Sequence, residues 1–340
     1  LTCSCKKSGA GRLRRRERFS FKQSCYLFFT NCAHFHWRAL PNHANIRLVF
    51  LTRSCLVLTA ASLAFVAGPK ALVAGPADAT RPAAPSAPPA VHLANISTRL
   101  AVGSGDNVLI AGFIITGTQQ KRIIVRALGP TLPVNANLAD PTLELHDSTG
   151  ALISSNDNWR DSQQEELKAT TIPPTSDYDA AIVKTLPPGA YTAVLAGKGR
   201  TTGVGVVEVY DLDLTADSKL ANIATRGRVE QGDDVLIAGT IVLGNGTTKV
   251  LFRAIGAGLP VPGHLTDPTL ELHDGQGATV ATNDNWQDSQ KAEIEATTIP
   301  PENPLDAAII YNLSPGNYTA IVRGKNNGTG VAVVEGYQIN

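Results

Sequence analysis

The stretch Asp140-Pro-Thr-Leu-Glu-Leu-His-Asp147 occurs twice in this chain, unchanged the second time at residues 267–274. Its centre, Thr-Leu-Glu-Leu-His, alternates polar and apolar residues, the period of a half-buried β-strand. The offset of 127 residues aligns the surrounding chain without a gap. Asn156-Asp-Asn-Trp159 returns at 283–286, and Ala169-Thr-Thr-Ile-Pro-Pro174 at 296–301. Leu93-Ala-Asn-Ile96 returns at 220–223, and Gly203-Val-Gly-Val-Val-Glu208 matches Gly330-Val-Ala-Val-Val-Glu335. Identity is about 55% over about 121 aligned pairs. A unit of this length exceeds any solenoid repeat, so each copy reads as a whole domain. The copies span residues 93–213 and 220–340, joined by a polar linker at 214–219.

Within a copy the other signals are also strand-like. Val108-Leu-Ile-Ala-Gly-Phe-Ile-Ile115 and Ile123-Ile-Val-Arg-Ala-Leu128 are β-branched runs bounded by turn residues. Ala180-Ala-Ile-Val183, Tyr191-Thr-Ala-Val-Leu195 and the run from Val204 to Tyr210 add three more. Asp147-Ser-Thr-Gly150, Pro187-Pro-Gly189 and Gly197-Lys-Gly199 punctuate them. Ser162-Gln-Gln-Glu165 reads as a capping box and predicts one short helix, weakened in the second copy by Ala292. About eight short strands in about 120 residues predict an all-β chain of two tandem jelly-roll-like β-sandwiches.

What precedes the repeats differs in kind. Up to Thr80 there are 12 Lys and Arg against 2 Asp and Glu; beyond it, 18 against 27. The repeats are therefore acidic and should repel nucleic-acid phosphates, although the whole chain carries a formal +1. All five cysteines lie in the first 55 residues, so the repeats need no disulfides. Residues 1–47, with a run of arginines and no sustained period, read as an over-extended reading frame or a disordered leader. The spacings of Cys3, Cys5, Cys25, Cys32, His34 and His36 fit no common zinc finger. Residues 48–79 carry a basic flank, an apolar run from Cys55 to Gly68 and a small-residue site at Ala77-Asp-Ala79, the pattern of a secretory signal peptide. The apolar run is short for a membrane span and is broken by Gly68-Pro69. Residues 80–92 form a Pro/Ala-rich spacer.

The motifs from Asp140 to Gly150, Ser155-Asn-Asp157 and Leu186-Pro-Pro-Gly-Ala-Tyr-Thr-Ala-Val194 resemble the bacterial pre-peptidase C-terminal domain type. They are closer still to an uncharacterised domain found in tandem in large secreted bacterial proteins. The resemblance covers most of each copy and implies a sandwich fold and an extracellular setting. It also implies a role beside secreted hydrolases instead of catalysis.

Candidate sites appear in pairs. Asp157, Asn158 and Asp161, with Asp284, Asn285 and Asp288, place several oxygen-bearing side chains within six residues, a pattern suited to Ca²⁺. The same Asx clusters can cap turns by bonding their own backbone, and the spacing is not that of an EF-hand. Trp159 and Trp286 read as core-edge aromatics or, alternatively, as platforms for sugar rings. Glu144 and His146, with Glu271 and His273, share a strand face opposite Leu143 and Leu145 and read as a pair facing water. No G-x-S-x-G motif occurs, and Gly103-Ser-Gly105 lacks the lysine of a phosphate loop. Arg126 and Arg253 sit inside apolar strands and need carboxylate partners; Glu208 and Glu335 are the candidates for structural ion pairs.

These features point to an exported, non-catalytic module at the cell surface, in the periplasm or outside the cell. Adhesion, matrix or envelope assembly is the leading reading. Its partner is an extracellular glycan or surface protein, with no nucleic acid and no membrane contact beyond the signal segment. It requires no cofactor, and Ca²⁺ is the candidate ion. A carbohydrate-binding accessory protein and a small hydrolase built on Glu144 and His146 are the alternatives. No pattern specifies an oligomer.

Overall fold

The computed structural model describes residues 91–339; the leader, the signal segment and nearly all of the spacer lie outside the described residues. The first copy supplies strands β1 (His92–Val102), β2 (Leu109–Thr116), β3 (Lys121–Leu128), β4 (Pro141–Asp147), β5 (Leu152–Asn156), β6 (Ala180–Leu186), β7 (Gly189–Gly197) and β8 (Gly203–Asp211). The second supplies β9 (Lys219–Val229), β10 (Leu236–Leu243), β11 (Thr248–Ile255), β12 (Pro268–Asp274), β13 (Thr279–Asn283), β14 (Ala307–Leu313), β15 (Gly316–Gly324) and β16 (Gly330–Gln338). Helices α1 (Gln164–Ala169) and α2 (Lys291–Ala296) hold six residues each. Among the described residues, no helix is long and apolar enough to cross a membrane.

The chain is all-β, and every ladder is antiparallel. In the first copy, β1-β8-β3-β6 forms one sheet and β2-β7-β4-β5 the other. That is the strand order of a jelly roll. The second copy repeats it with β9-β16-β11-β14 and β10-β15-β12-β13.

The sheets do not stop at the boundary between copies. β1 pairs with β10 from His92↔Leu243 to Arg99↔Ile237, and β9 pairs with β2 from Arg226↔Ile110 to Lys219↔Thr116. Each sheet therefore runs through eight strands, four from each copy. Residues 212–218 connect β8 to β9, so Lys219, read as linker, opens β9, and the ladders cross the same boundary. One hydrophobic core follows the sheets, with Leu100, Phe113, Leu143 and Leu195 from the first copy in the same cluster as Leu236, Phe252, Leu270 and Val334 from the second. β4 shows how the pattern works: Leu143 and Leu145 point inward and are fully buried, and Thr142 and Glu144 point outward.

Three local expectations need correction. β1 begins at His92, within the stretch read as spacer. The capping box does not form: the residue before α1 is Gln163, in the left-handed region at φ 54° and without a side-chain cap. Gln290 repeats this before α2, despite Ala292. The glutamine side chains instead bond strand backbone, as described below, and this contact positions the helix without the capping glutamate.

Candidate functional site

The Asn-Asp-Asn-Trp loop closes the open edge of a sheet. β6 pairs with β3 on one side only, and its other side would present free backbone groups. Asn156 Oδ1 accepts the Ala181 N–H at 2.9 Å. Gln163 Oε1 accepts the Val183 N–H at 3.2 Å, and Gln163 Nε2 donates to the Val183 carbonyl at 2.9 Å. Two side-chain amides thus imitate a neighbouring strand. Asn283 and Gln290 do the same for Ala308 and Ile310 on β14. Asn156 Nδ2 in turn donates to the Asn158 carbonyl and to Ser162 Oγ, which holds the loop in register.

Trp159 and Trp286 lie beneath these loops, 2% and 4% exposed. Trp159 packs on Ile124, Leu167, Ala181 and Val183, and Trp286 on Leu251, Ile294, Ala308 and Ile310. Their indole N–H groups donate to the carbonyls of Ser176 and Asn303. The reading of these rings as sugar platforms is corrected: a platform needs an exposed face, and here the rings are core. Arg160 covers the Trp159 ring at 4.4 Å.

The acidic residues of the loop meet a lysine. Lys198 Nζ lies 2.6 Å from Asp157 and 3.6 Å from Asp140, and Lys325 lies 2.5 Å from Asp284 and 3.7 Å from Asp267. The hydrogen bond that Lys198 donates to Asp157 raises the Lys198 pKa, and the bond to Asp284 acts likewise on Lys325. Asn158 Nδ2 donates to Asp161 Oδ2, as Asn285 does to Asp288, both at 3.1 Å. Asp140, Asp157 and Asn158 each retain one buried Oδ1 without a hydrogen-bond partner, and so do Asp267, Asp284 and Asn285. Among the described residues, no group of three or more His, Cys, Asp or Glu side chains forms a metal cluster. A cation at these loops would therefore depend on the Asn oxygens and backbone carbonyls beside two carboxylates.

His146 departs from the expectation of a water-facing pair. It is 5% exposed, while the Glu144 side chain remains about half exposed at 47%. The β4–β5 register shifts between Leu145 and His146, skipping Ile153 of β5. Nε2 then faces Glu144 Oε2 at 2.9 Å and Nδ1 faces the Gly150 carbonyl at 3.3 Å. With an acceptor at each nitrogen, the doubly protonated imidazolium is favoured. Donation of the Nε2 hydrogen bond to the Glu144 carboxylate raises the His146 pKa and lowers that of Glu144. In its doubly protonated form the ring has no lone pair for general-base work. His273 bonds Glu271 at 3.1 Å and the Gly277 carbonyl at 3.3 Å.

Arg126 and Glu208 stand opposite each other on β3 and β8 and form an ion pair, with Arg126 Nε 2.9 Å from Glu208 Oε2. Nη1 donates to the Ile172 carbonyl at 2.8 Å, and the guanidinium also meets Tyr210. Arg253, Glu335, Ile299 and Tyr337 repeat the arrangement. Two kinds of buried charge had no distinct sequence signal. Lys121, 1% exposed, pairs with Asp211 at 2.8 Å. Asp179 and Asp306, fully buried, accept the N–H groups of Gly129 and Gly256, and burial raises both carboxyl pKa values.

No protein-family model and no curated protein matches the chain. Among solved structures, similarity is found to a chain of the Sulfolobus Turreted Icosahedral Virus, at 12% identity and a TM-score of 0.21, covering 73% of this chain and 90% of that one. A DUF4785 family protein from Legionella pneumophila is similar at 10% identity and a TM-score of 0.20, covering 71% and 83%.

Proposed function

We propose that this chain is an exported, non-catalytic structural or binding module, serving adhesion, matrix or envelope assembly. The observation that carries this reading is where the polar residues go. Side chains that suggested catalysis or ligand binding are taken up by the chain itself: the Trp159 and Trp286 indole N–H groups bond backbone carbonyls, and both His146 nitrogens face internal acceptors. The signal-like segment at 48–79 supplies the address. The test is expression of the full chain in a bacterial host, followed by fractionation and sequencing of the mature N-terminus. Recovery outside the cytoplasm with a new terminus near residue 80 is expected. Full-length protein confined to the cytoplasm would refute export.

A second reading is favoured by one observation, the three buried, unpartnered oxygens repeated in each copy. Orphaned buried acceptors call for an ion or water. Asp140, Asp157 and Asn158, with Asp267, Asp284 and Asn285, would hold Ca²⁺, Asp140 and Asp267 taking the places expected for Asp161 and Asp288, which accept from Asn158 and Asn285; the ion would supply charge neutralisation and loop rigidity in place of the lysine contacts. Calorimetric titration of Ca²⁺ into chelator-treated protein should give two sites per chain and a rise in Tm, both lost in Asp157→Asn plus Asp284→Asn. No heat and no shift would retire the ion.

A further inference from the structure

The two copies differ at one cavity, and one copy shows what the other lacks. In the first copy, a cavity of about 200 Å³ opens between the Gly103–Asn107 turn and the outer face of β4 and β7, with Gly105, Glu144, Ala196 and Arg200 in its wall. In the second copy, Arg323 stands at the position of Ala196; both residues lie opposite the same threonine, as Thr142↔Ala196 and Thr269↔Arg323. Arg323 Nη1 donates to the Gly232 carbonyl at 2.9 Å, and its Nε lies 3.8 Å from Glu271 Oε1. Glu271 keeps its other oxygen on His273. Gln231, at the position of Ser104, reaches across to the carbonyl of Asn327. The second copy therefore carries a guanidinium on this face from its own strand.

The acceptors that hold this guanidinium are present in the first copy. Glu144 Oε2 is committed to His146, as Glu271 Oε2 is to His273, which leaves Oε1 for another donor. Gly105 and Gly232 share one left-handed turn conformation, φ 67° and 69°, so their carbonyls are presented alike. Alanine and serine in place of arginine and glutamine leave the space open.

We propose that the first-copy cavity binds a guanidinium group from outside, an arginine side chain of a partner polypeptide, using Glu144 and the Gly105 carbonyl as Arg323 uses Glu271 and the Gly232 carbonyl. The planar fork of a guanidinium suits a carboxylate beside a carbonyl, and a buried stem fits a cavity of this size. Arg200, on the exposed turn at the rim, opposes a second cation and sets the affinity low. The site is independent of the export and calcium readings.

The test uses the full chain and N-acetyl-arginine amide, followed by NMR shifts, with the uncharged citrulline analogue as control. One site per chain is expected, and the citrulline analogue should not bind it. Glu144→Gln should weaken binding about tenfold, the loss of one charge-assisted contact. Ala196→Arg, which makes the first copy resemble the second, should abolish binding. Arg323→Ala should open a second site and double the stoichiometry. Arg200→Ala should tighten binding. Equal binding of the citrulline analogue, persistence of binding in Ala196→Arg, or no binding by the wild-type chain would overturn the proposal.

Discussion

Thr98 and Thr225 share a hydrogen bond, hydroxyl to hydroxyl at 2.8 Å, and both are buried. They are 127 residues apart, which makes them the same position in the two copies. A residue that meets its own counterpart lies on a two-fold axis. Leu93 and Leu220, also counterparts, form the bridge between β1 and β9. The β1–β10 and β9–β2 ladders follow equivalent registers, Arg99↔Ile237 and Arg226↔Ile110. The chain thus contains, within one polypeptide, the isologous interface of a homodimer.

The symmetry is broken where it matters for packing. Gly227 is the counterpart of Leu100, and a Cβ on Gly227 would lie 1.7 Å from Leu100 Cδ2. The axis accommodates one leucine, not two. Gly227→Leu should therefore destabilise the chain by at least about 1–3 kcal/mol through overpacking. Leu100→Gly should cost about 2–5 kcal/mol through the cavity it leaves. Combining them moves the leucine to the other side of the axis, so the double variant should recover most of the loss in denaturant unfolding. Additive losses would show that the two positions do not share one space.

How the copies meet could not be read from the sequence, and the reason is physical. Because β1 and β9 share seven of eleven residues, a strand fits its own sheet and the other copy's sheet with much the same pattern, and periodicity cannot choose between them. The strands themselves were legible, because alternation such as Leu143 and Leu145 against Thr142 and Glu144 reports a buried face directly. The charges of Arg126 and Glu208 were legible for a related reason: each interrupts an apolar strand, and a buried charge requires a partner. Asn156 and Gln163 looked like turn and cap residues, since the edge they seal belongs to β6, more than fifteen residues further along. Only the assembled sheet shows that this edge is open.

The sealed edges are open to a direct experiment. Asn156→Ala leaves the buried Ala181 N–H without an acceptor, and Gln163→Ala strips both groups of Val183. Each should cost about 1–3 kcal/mol. The double variant should also self-associate, because an unprotected apolar strand recruits another. Light scattering during mild heating would record this, and a destabilised but monomeric double variant would show that the amides do not protect the edge.

The ion pair of the second copy is the more deeply buried, with Glu335 at 3% and Arg253 at 9% exposed, and it should respond sharply to removal of one partner. Glu335→Ala strands a guanidinium in the core and should cost about 3–5 kcal/mol. Replacing both residues with apolar ones, Arg253→Met with Glu335→Leu, should recover much of that loss. The measurement is a double-mutant cycle by chemical unfolding. A double replacement no better than the single would assign the pair a net stabilising role of its own.

The Glu144–His146 contact predicts a pH window. The folded His146 pKa lies above its ordinary 6.5, so its contribution is complete below 6.5 and fades as pH rises through the raised value. The folded Glu144 pKa lies below its ordinary 4.5, so its contribution is complete above 4.5 and fades as pH falls through the lowered value. Together they stabilise most between about 4.5 and 6.5. Glu144 is half exposed, so solvent screening keeps the effect within about 1 kcal/mol. Stability measured from pH 4 to pH 9 for the wild type and for His146→Gln should differ most inside that window and converge on the alkaline side. The difference curve isolates this pair from Asp179 and Asp306, whose raised carboxyl pKa values contribute equally to both proteins. A difference that grows with rising pH would mean that His146 is held neutral, and would return an imidazole lone pair to the question of catalysis.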